Sequence, residues 1–492
     1  MNYQWFAVAA LGAVSVVAAA QEAAVDDRGN ELDQITIIGS ADDLVETTGA
    51  AVVIGADDLA LFEHADVQRI LRQVPGVSIQ TEDGYGLRPN LSIRGTATER
   101  SGRITLLEDN VLIAPAPYSA PSAYYFPTAG RMSEVEVLKG SASVRQGPYT
   151  VGGAMNFLSV PIPTRRSGFV NAEFGEDATT RLHATYGDSQ TRYGWLVEGH
   201  LWNSDGFQDI ARSDRDTGLD KDDWMAKFRL NSDPAAAIYQ QLDIKLQFAT
   251  ENSDQSYLGL TDADFAADPY VRYGLSELDN IDTEHEQVIL RYAAEFGNGT
   301  VASVTAYNNT HERAWFKTEG IDIDGSASAD EFSRTSWFSV VQGINTGNGI
   351  AGASAAELQA ILDGGDTAPG AIQLRNNARE YYSRGIEVGL TWQLDAFGAR
   401  HEFDAGVRYH EDEEDRLQRN SSYTQTGGEL MLADLGSLGN AGNRLQEARA
   451  ISLYLTDRID FGRLVLTPGM RFEQIDQERT RWETRSGRSA NP

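Results

Sequence analysis

The sequence predicts two folds in one chain: a small α+β domain toward the N-terminus, then a transmembrane antiparallel β-barrel. Three observations lead there. Between Arg94 and Asn156, short β-branched segments are punctuated by Gly95, Gly140, Gly147, Gly152 and Gly153. That is the pattern of a domain whose chain turns sharply and packs backbone closely. After about residue 167 the chain changes to long segments of strict apolar–polar alternation, as strands between lipid and a lumen require. Beyond the first twenty residues no apolar run approaches the roughly 20 residues of a membrane helix, so membrane association must come from β-structure.

Taken in order, Phe6 to Val17 is apolar and Ala18-Ala19-Ala20 precedes Gln21, which predicts a signal peptide over 1–20 although no Lys or Arg opens it. Residues 21–47 begin small and acidic, without periodicity, and are expected to be disordered. Within them Asp33, Gln34, Ile35, Thr36, Ile37 and Ile38 form a β-prone island. Such an island is either an edge strand or a peptide that adds to a partner's sheet. Residues 48–165 read as the compact domain. Val67, Ile70, Leu71 and Val74 fall on one face of a helix over Ala65–Val77 that Pro75-Gly76 stops. Val77–Gln80, Leu91–Ile93, Ile104–Leu107 and Val135–Leu138 are its strands.

Residues 166–492 carry the dyads. Leu242, Ile244, Leu246 and Phe248 alternate with Asp243, Lys245 and Gln247, and the pattern returns at 224–230, 288–296, 386–392, 403–409 and 451–455. Trp195, Trp202, Trp224, Phe296, Trp315, Trp392, Phe461 and Phe472 sit near strand ends, where an interfacial girdle is expected. Short connections such as 297–299 and 395–398 alternate with long acidic ones, the rhythm of periplasmic turns and outer loops. Roughly twelve strands fit this length at barrel spacing. The polar end, Arg485 to Pro492, lacks a terminal aromatic strand, and an open edge cannot lie in lipid. The expectation is a C-terminally truncated barrel.

Composition narrows the chemistry. Lys+Arg 41 against Asp+Glu 72 gives a net charge of −31, which disfavours nucleic acid because phosphate contacts need a basic face. There is no cysteine, so neither disulfides nor thiolate metal sites exist. The histidines are scattered without metal-site spacing. The acidic run His410–Asp415 reads as the solvated base of an outer loop, with a Ca²⁺ site as the lesser reading. No nucleophile–base arrangement or phosphate loop is present, so no catalytic residues and no enzyme are expected.

Four ordered motifs carry a family resemblance: Leu71–Val77 with its PGV, Leu91–Gly95 with IRG, Val135–Gly140 (VEVLKG), and Gln146–Asn156 with GP and GGAMN, Gln146 standing where the family has Tyr. The chain resembles TonB-dependent outer-membrane receptors, most of all the ferric dicitrate branch. The resemblance implies an α+β plug seated in a 22-strand barrel, of which this chain carries about half. It implies location in the bacterial outer membrane, with lipid, the periplasmic TonB protein pairing with residues 33–38, and a ferric chelate as partners. Iron enters only as transported chelate, with no resident cofactor or metal. Arg94 and Lys139 are expected to anchor plug to barrel, with wall carboxylates such as Glu387 or Asp404 as partners. The two apical loops place Thr96, Thr98, Arg100, Arg103, Tyr118, Ser119, Tyr124 and Tyr125 as ligand contacts. Arg334, Arg375 and Arg379 are candidates from the barrel side, since guanidinium matches carboxylate. Cobalamin, another siderophore or an oligosaccharide are alternative cargoes. A signalling receptor is a further alternative, which the short span from Gln21 to Leu32 disfavours.

Overall fold

The computed structural model describes residues 49–482 except 63, 255, 326–327 and 331–333. The signal segment 1–20 and the strand-forming segment 33–38 lie outside the described residues.

The first domain contains β1 (Ala50–Ile54), α1 (Ala56–Phe62), α2 (Val67–Leu71), β2 (Val77–Gln80), β3 (Asn90–Ile93), β4 (Thr105–Glu108), β5 (Val111–Leu112), β6 (Met132–Lys139) and β7 (Ala154–Ser159). Its main sheet has the order β1-β6-β7-β4-β5, and β2 pairs separately with β3. The predicted helix is real but shorter. Asp66 caps α2 by accepting from the Gln68 amide at 2.7 Å. The Val74 amide already closes back on Leu71 three residues away, so the last turn tightens before Pro75. Val67, Ile70, Leu71 and Val74 are all buried in the domain core with Leu91, Val135, Val137 and Phe157. Gly153 shows why the paired glycines matter: it lies at φ +140°, and a Cβ there would stand 2.2 Å from the Leu138 carbonyl oxygen.

The wall begins with β8 (Ser167–Phe174), β9 (Thr180–Gln190), β10 (Tyr193–Ser204), β11 (Asp209–Ile210), β12 (Leu219–Asn231) and β13 (Ile238–Ser253). It continues through α3 (Asp262–Ala267), β14 (Val271–Arg272), β15 (Asn280–Phe296), β16 (Thr300–Ile321), β17 (Thr335–Ser336), α4 (Trp337–Asn345) and α5 (Ala355–Leu362). It ends with β18 (Ile372–Ala396), β19 (Ala399–Thr426), β20 (Glu429–Asp434), β21 (Gly442–Asp460), β22 (Val465–Leu466) and β23 (Gly469–Arg481). All of these strands except β11 and β14 form one 14-stranded sheet in chain order, from β8 to β22 and β23 on β21. Among the described residues no helix is long and apolar enough to cross a membrane.

The predicted dyads set the two faces of this sheet. Leu246, Val388, Val407, Leu453 and Phe472 are exposed on the outer face, while Lys245, Gln247 and Arg408 are buried against the first domain. Two girdle assignments need correction. Trp202 and Trp315 are buried rather than exposed, because their parity in the strand turns them inward. Trp202 meets Tyr85 edge-on at 5.7 Å. The acidic run is also corrected: it lies inside β19, a strand of 28 residues, far longer than the 9–11 residues a membrane crossing needs. The strand therefore continues beyond the lipid, and its period of two buries His410, Asp412 and Glu414 inside while Glu411, Glu413 and Asp415 take the other face.

Candidate functional site

The first domain is seated on the wall through buried charge. Arg131, with a fully buried side chain, donates to Glu108 at 2.6 Å within the plug and to Asp223 of β12 at 3.0 Å. Lys245 of β13 reaches Glu108 at 2.5 Å and Asp109 at 2.6 Å. Burial works against ionising Glu108, yet Arg131 and Lys245 together hold its carboxyl below the usual range. Asp109 is lowered by Lys245 and Lys227 in the same way, against its burial. Arg88 forms a further buried pair with Glu251. On the far flank Asp412 accepts from the Tyr118 and Ser119 amides at 2.6 and 2.9 Å, and Arg145 pairs with Asp404 at 3.1 Å.

Above this seat, toward the long loops, cations collect around one tyrosine. The Arg313 guanidinium lies 3.7 Å from the Tyr124 ring centroid, with Arg100 at 5.2 Å and Arg379 at 5.6 Å. The Lys317 ammonium sits 3.3 Å from the Tyr257 ring and 4.5 Å from Trp315. Carboxylates answer most of these charges: Glu82 pairs with Arg100, Glu319 with Arg375, Arg334 and Lys317, and Glu414 with Arg379. Arg313 differs. It is 3% exposed, and none of its three guanidinium nitrogens has a hydrogen-bond partner among the described residues. Burial pushes the Tyr124 phenol up, but Arg313, Arg379, Arg100 and Lys317 outweigh it and bring the phenol to about 8. The arrangement is a buried cluster of cations around one tyrosine inside a strongly acidic protein, with donors suited to carboxylate or another oxyanion.

Of the residues expected from sequence, Arg100, Tyr124, Arg334, Arg375 and Arg379 come together here. Thr98 lies beside them, its hydroxyl donating to Gln80 at 3.0 Å. Thr96 donates to the Ile93 carbonyl at 3.2 Å, and Arg103 is exposed with its carbonyl on the Gly152 amide. Tyr118, Ser119 and Tyr125 are corrections. The Tyr118 hydroxyl is tied to Glu473 and Arg408, both at 3.0 Å, and the Tyr125 ring stacks on His285 at 3.6 Å. All three face the wall and seat the domain. Arg94 and Lys139 meet neighbours of their own domain. Lys139 donates to the Pro75 carbonyl at 2.7 Å, and Arg94 lies beside Gly140, contacts within the first domain. Asp404 meets Arg145 instead. Arg313 and Lys317 were missed, although His311, Arg313, Trp315 and Lys317 share one parity and form a cationic, aromatic row on the inner face of β16. Among the described residues there is no group of three or more His, Cys, Asp or Glu placed to hold a metal ion.

Residues 43–154 match the TonB-dependent Receptor Plug Domain family. The unliganded ferric citrate transporter FecA superposes with a TM-score of 0.68 at 21% identity, covering 90% of this chain and 58% of that one. The siderophore receptor PiuA from Acinetobacter baumannii gives 0.59 at 15% identity, covering 87% of this chain and 58% of that one. The vitamin B12 transporter BtuB of Vibrio vulnificus (strain CMCP6) is 25% identical over 301 residues, 58% of this chain and 47% of the relative. The chain thus spans about half the length of the relatives it matches. Those relatives are receptors and transporters, not enzymes. Residues 43–154 thus form a TonB-dependent receptor plug domain, and plug and alternating wall together have the fold of the ferric citrate transporter.

Proposed function

We propose that this chain acts as a TonB-dependent importer of an anionic ferric chelate, with ferric citrate as the first candidate. The observation that carries the reading is Arg313: a buried cation without a protein acceptor, facing a tyrosine ringed by three more cations. A carboxylate-rich ligand supplies the missing acceptor, and a fork of N–H donors fixes its orientation. Iron then belongs to the cargo and not to the protein. The long loops lie outside the cell, the short turns in the periplasm, and the outer apolar face in lipid. Residues 33–38 pair as an added strand with the TonB protein, which transmits the energy for release.

A second reading, cobalamin, is favoured by the similarity to a vitamin B12 transporter. It offers Arg313 one phosphodiester oxyanion, where a citrate chelate offers several carboxylates. Titration calorimetry with ferric citrate and with cobalamin separates the two. Heat with ferric citrate alone supports the first reading, and heat with cobalamin alone overturns it. Deleting Leu32–Ile38 should leave binding intact and abolish uptake; uptake that survives the deletion contradicts the TonB part of the scheme.

A further inference from the structure

Only five of the chain's 41 basic residues are lysines. Lys139 belongs to the plug, and Lys221, Lys227 and Lys245 to β12 and β13. Lys317 alone stands among the arginines around Tyr124. It lies near the outer end of β16, where residues on the strand's other face have turned polar at Asn308, Thr310 and Glu312. The position is therefore beyond the lipid.

The cluster holds more cations than its carboxylates can answer. Among the described residues, Glu319 serves Lys317 at 3.5 Å, Arg375 at 2.9 Å and also Arg334. Glu414 serves Arg379 at 3.6 Å, Arg416 at 2.8 Å and Arg444 at 3.3 Å. Glu82 serves Arg100, and Arg313 has no hydrogen-bond partner. Lys317 is buried, its ammonium covered by the Tyr257 and Trp315 rings. Ring faces attract an ammonium, but they do not replace the hydrogen bonds it makes in water. The other charged or titratable groups around it are Arg375 from β18, Arg334 from the segment before β17, and Arg100 and Tyr124 from the plug. Asp279, from the segment before β15, already accepts from the Tyr257 and Thr318 amides at 3.0 and 2.6 Å.

Arginine does not release its proton in a protein. Where a buried cluster carries excess positive charge, its lysine is the member that can relieve it. Burial first, then Arg375 and Arg100, bring the Lys317 ammonium down to about 7, against the pull of Tyr124 and Asp279. An oxyanion among these groups reverses the balance and favours the ammonium. We propose that Lys317 stands partly neutral in the unliganded chain and takes one proton from water onto Nζ as an anion binds. The uptake rests on the importer reading above; the neutral lysine does not.

The small number of lysines makes the test direct. Lysine carrying ¹³C at Cε is introduced into the full chain in detergent, and Lys317→Arg or Lys317→Gln assigns its signal. In the unliganded native chain that signal should titrate near pH 7. A signal that stays that of an ammonium up to pH 9 overturns the proposal. Calorimetry of ferric citrate at pH 7, in two buffers of different ionisation heat, then counts protons. Tyr124 is mostly protonated at that pH, and proton exchange by the chelate itself is common to both chains. The native chain should take up about half a proton more per chelate than Lys317→Arg. Equal counts in the two chains overturn the uptake. A Lys317 that titrates near 7 in a chain giving no heat with ferric citrate sinks the importer reading, and the uptake with it, and supports the neutral lysine.

Discussion

Replacing Arg131 with methionine should loosen the plug more than any other single conservative change. The side chain is fully buried and bridges Glu108 in the plug to Asp223 in the wall. Methionine approximates its length but leaves two buried carboxylates facing each other. Lys245 remains on Glu108, whereas Asp223 keeps the Gln247 amide at 3.4 Å and the more distant charge of Lys221. Removing one member of a buried pair costs about 3–5 kcal/mol. Spread over sub-global opening of the plug, that corresponds to roughly two to three and a half decades in amide protection. Hydrogen exchange of peptides covering 104–113 and 132–139, in detergent and near neutral pH, reads it directly. Asp223→Asn in the same background should recover part of the loss, since it removes the orphaned charge. Protection that falls by less than about fivefold in Arg131→Met, about 1 kcal/mol, would show that the buried triad does not hold the plug.

Four further outcomes follow from the same geometry. Tyr124 has a folded value of about 8 against 10 unfolded; its ionisation therefore stabilises the fold fully above pH 10 and not at all below about 8. An absorbance titration should show one tyrosinate near pH 8, with affinity for an anionic chelate falling through that step, and Tyr124→Phe should abolish both. Glu134 is raised to about 7 by burial and then by Glu136. Plug stability should decline as pH rises through 7, and Glu134→Gln should flatten a pH series of melting curves. Gly153→Ala must move a backbone carbonyl that lies 2.2 Å from the new Cβ, a clash in the class that costs about 1–3 kcal/mol or more, seen as lost protection in β6 and β7. Leu453→Arg on the outer face should cost about 2–4 kcal/mol of wall stability if this row lies at mid-bilayer, measurable by urea unfolding in lipid vesicles.

Much of the fold is legible because its signals are local. Period-two alternation marks β12, β13, β15, β18, β19 and β21, since lipid on one side and a packed lumen on the other leave each residue one acceptable face. The plug strands are fixed by glycines such as Gly153, where a close carbonyl excludes any side chain. The girdle failed at Trp202 and Trp315 for want of parity: being aromatic near a strand end says nothing about which face is taken. The acidic run 410–415 misleads because dense charge suggests a loop, whereas a strand longer than the membrane carries charge in water while still paired.

The site is legible only in part. Arg100, Tyr124 and Arg379 could be chosen from loop position and residue type. Tyr118 and Tyr125 cannot be told from them, because the difference lies in partners 290 and 160 residues away, Arg408 and His285. Arg313 was missed for a similar reason. Its chemistry depends on what it lacks, and a missing partner can be read only when the whole neighbourhood is in view.

The central claim, that a buried unpaired cation awaits an oxyanion, is tested most directly by calorimetry of ferric citrate with the native chain and with Arg313→Gln. Losing a buried charged hydrogen-bond partner costs about 2–4 kcal/mol, so Kd should rise about 30- to 1,000-fold, with the plug's exchange protection unchanged. Equal affinity in the two proteins would contradict the account.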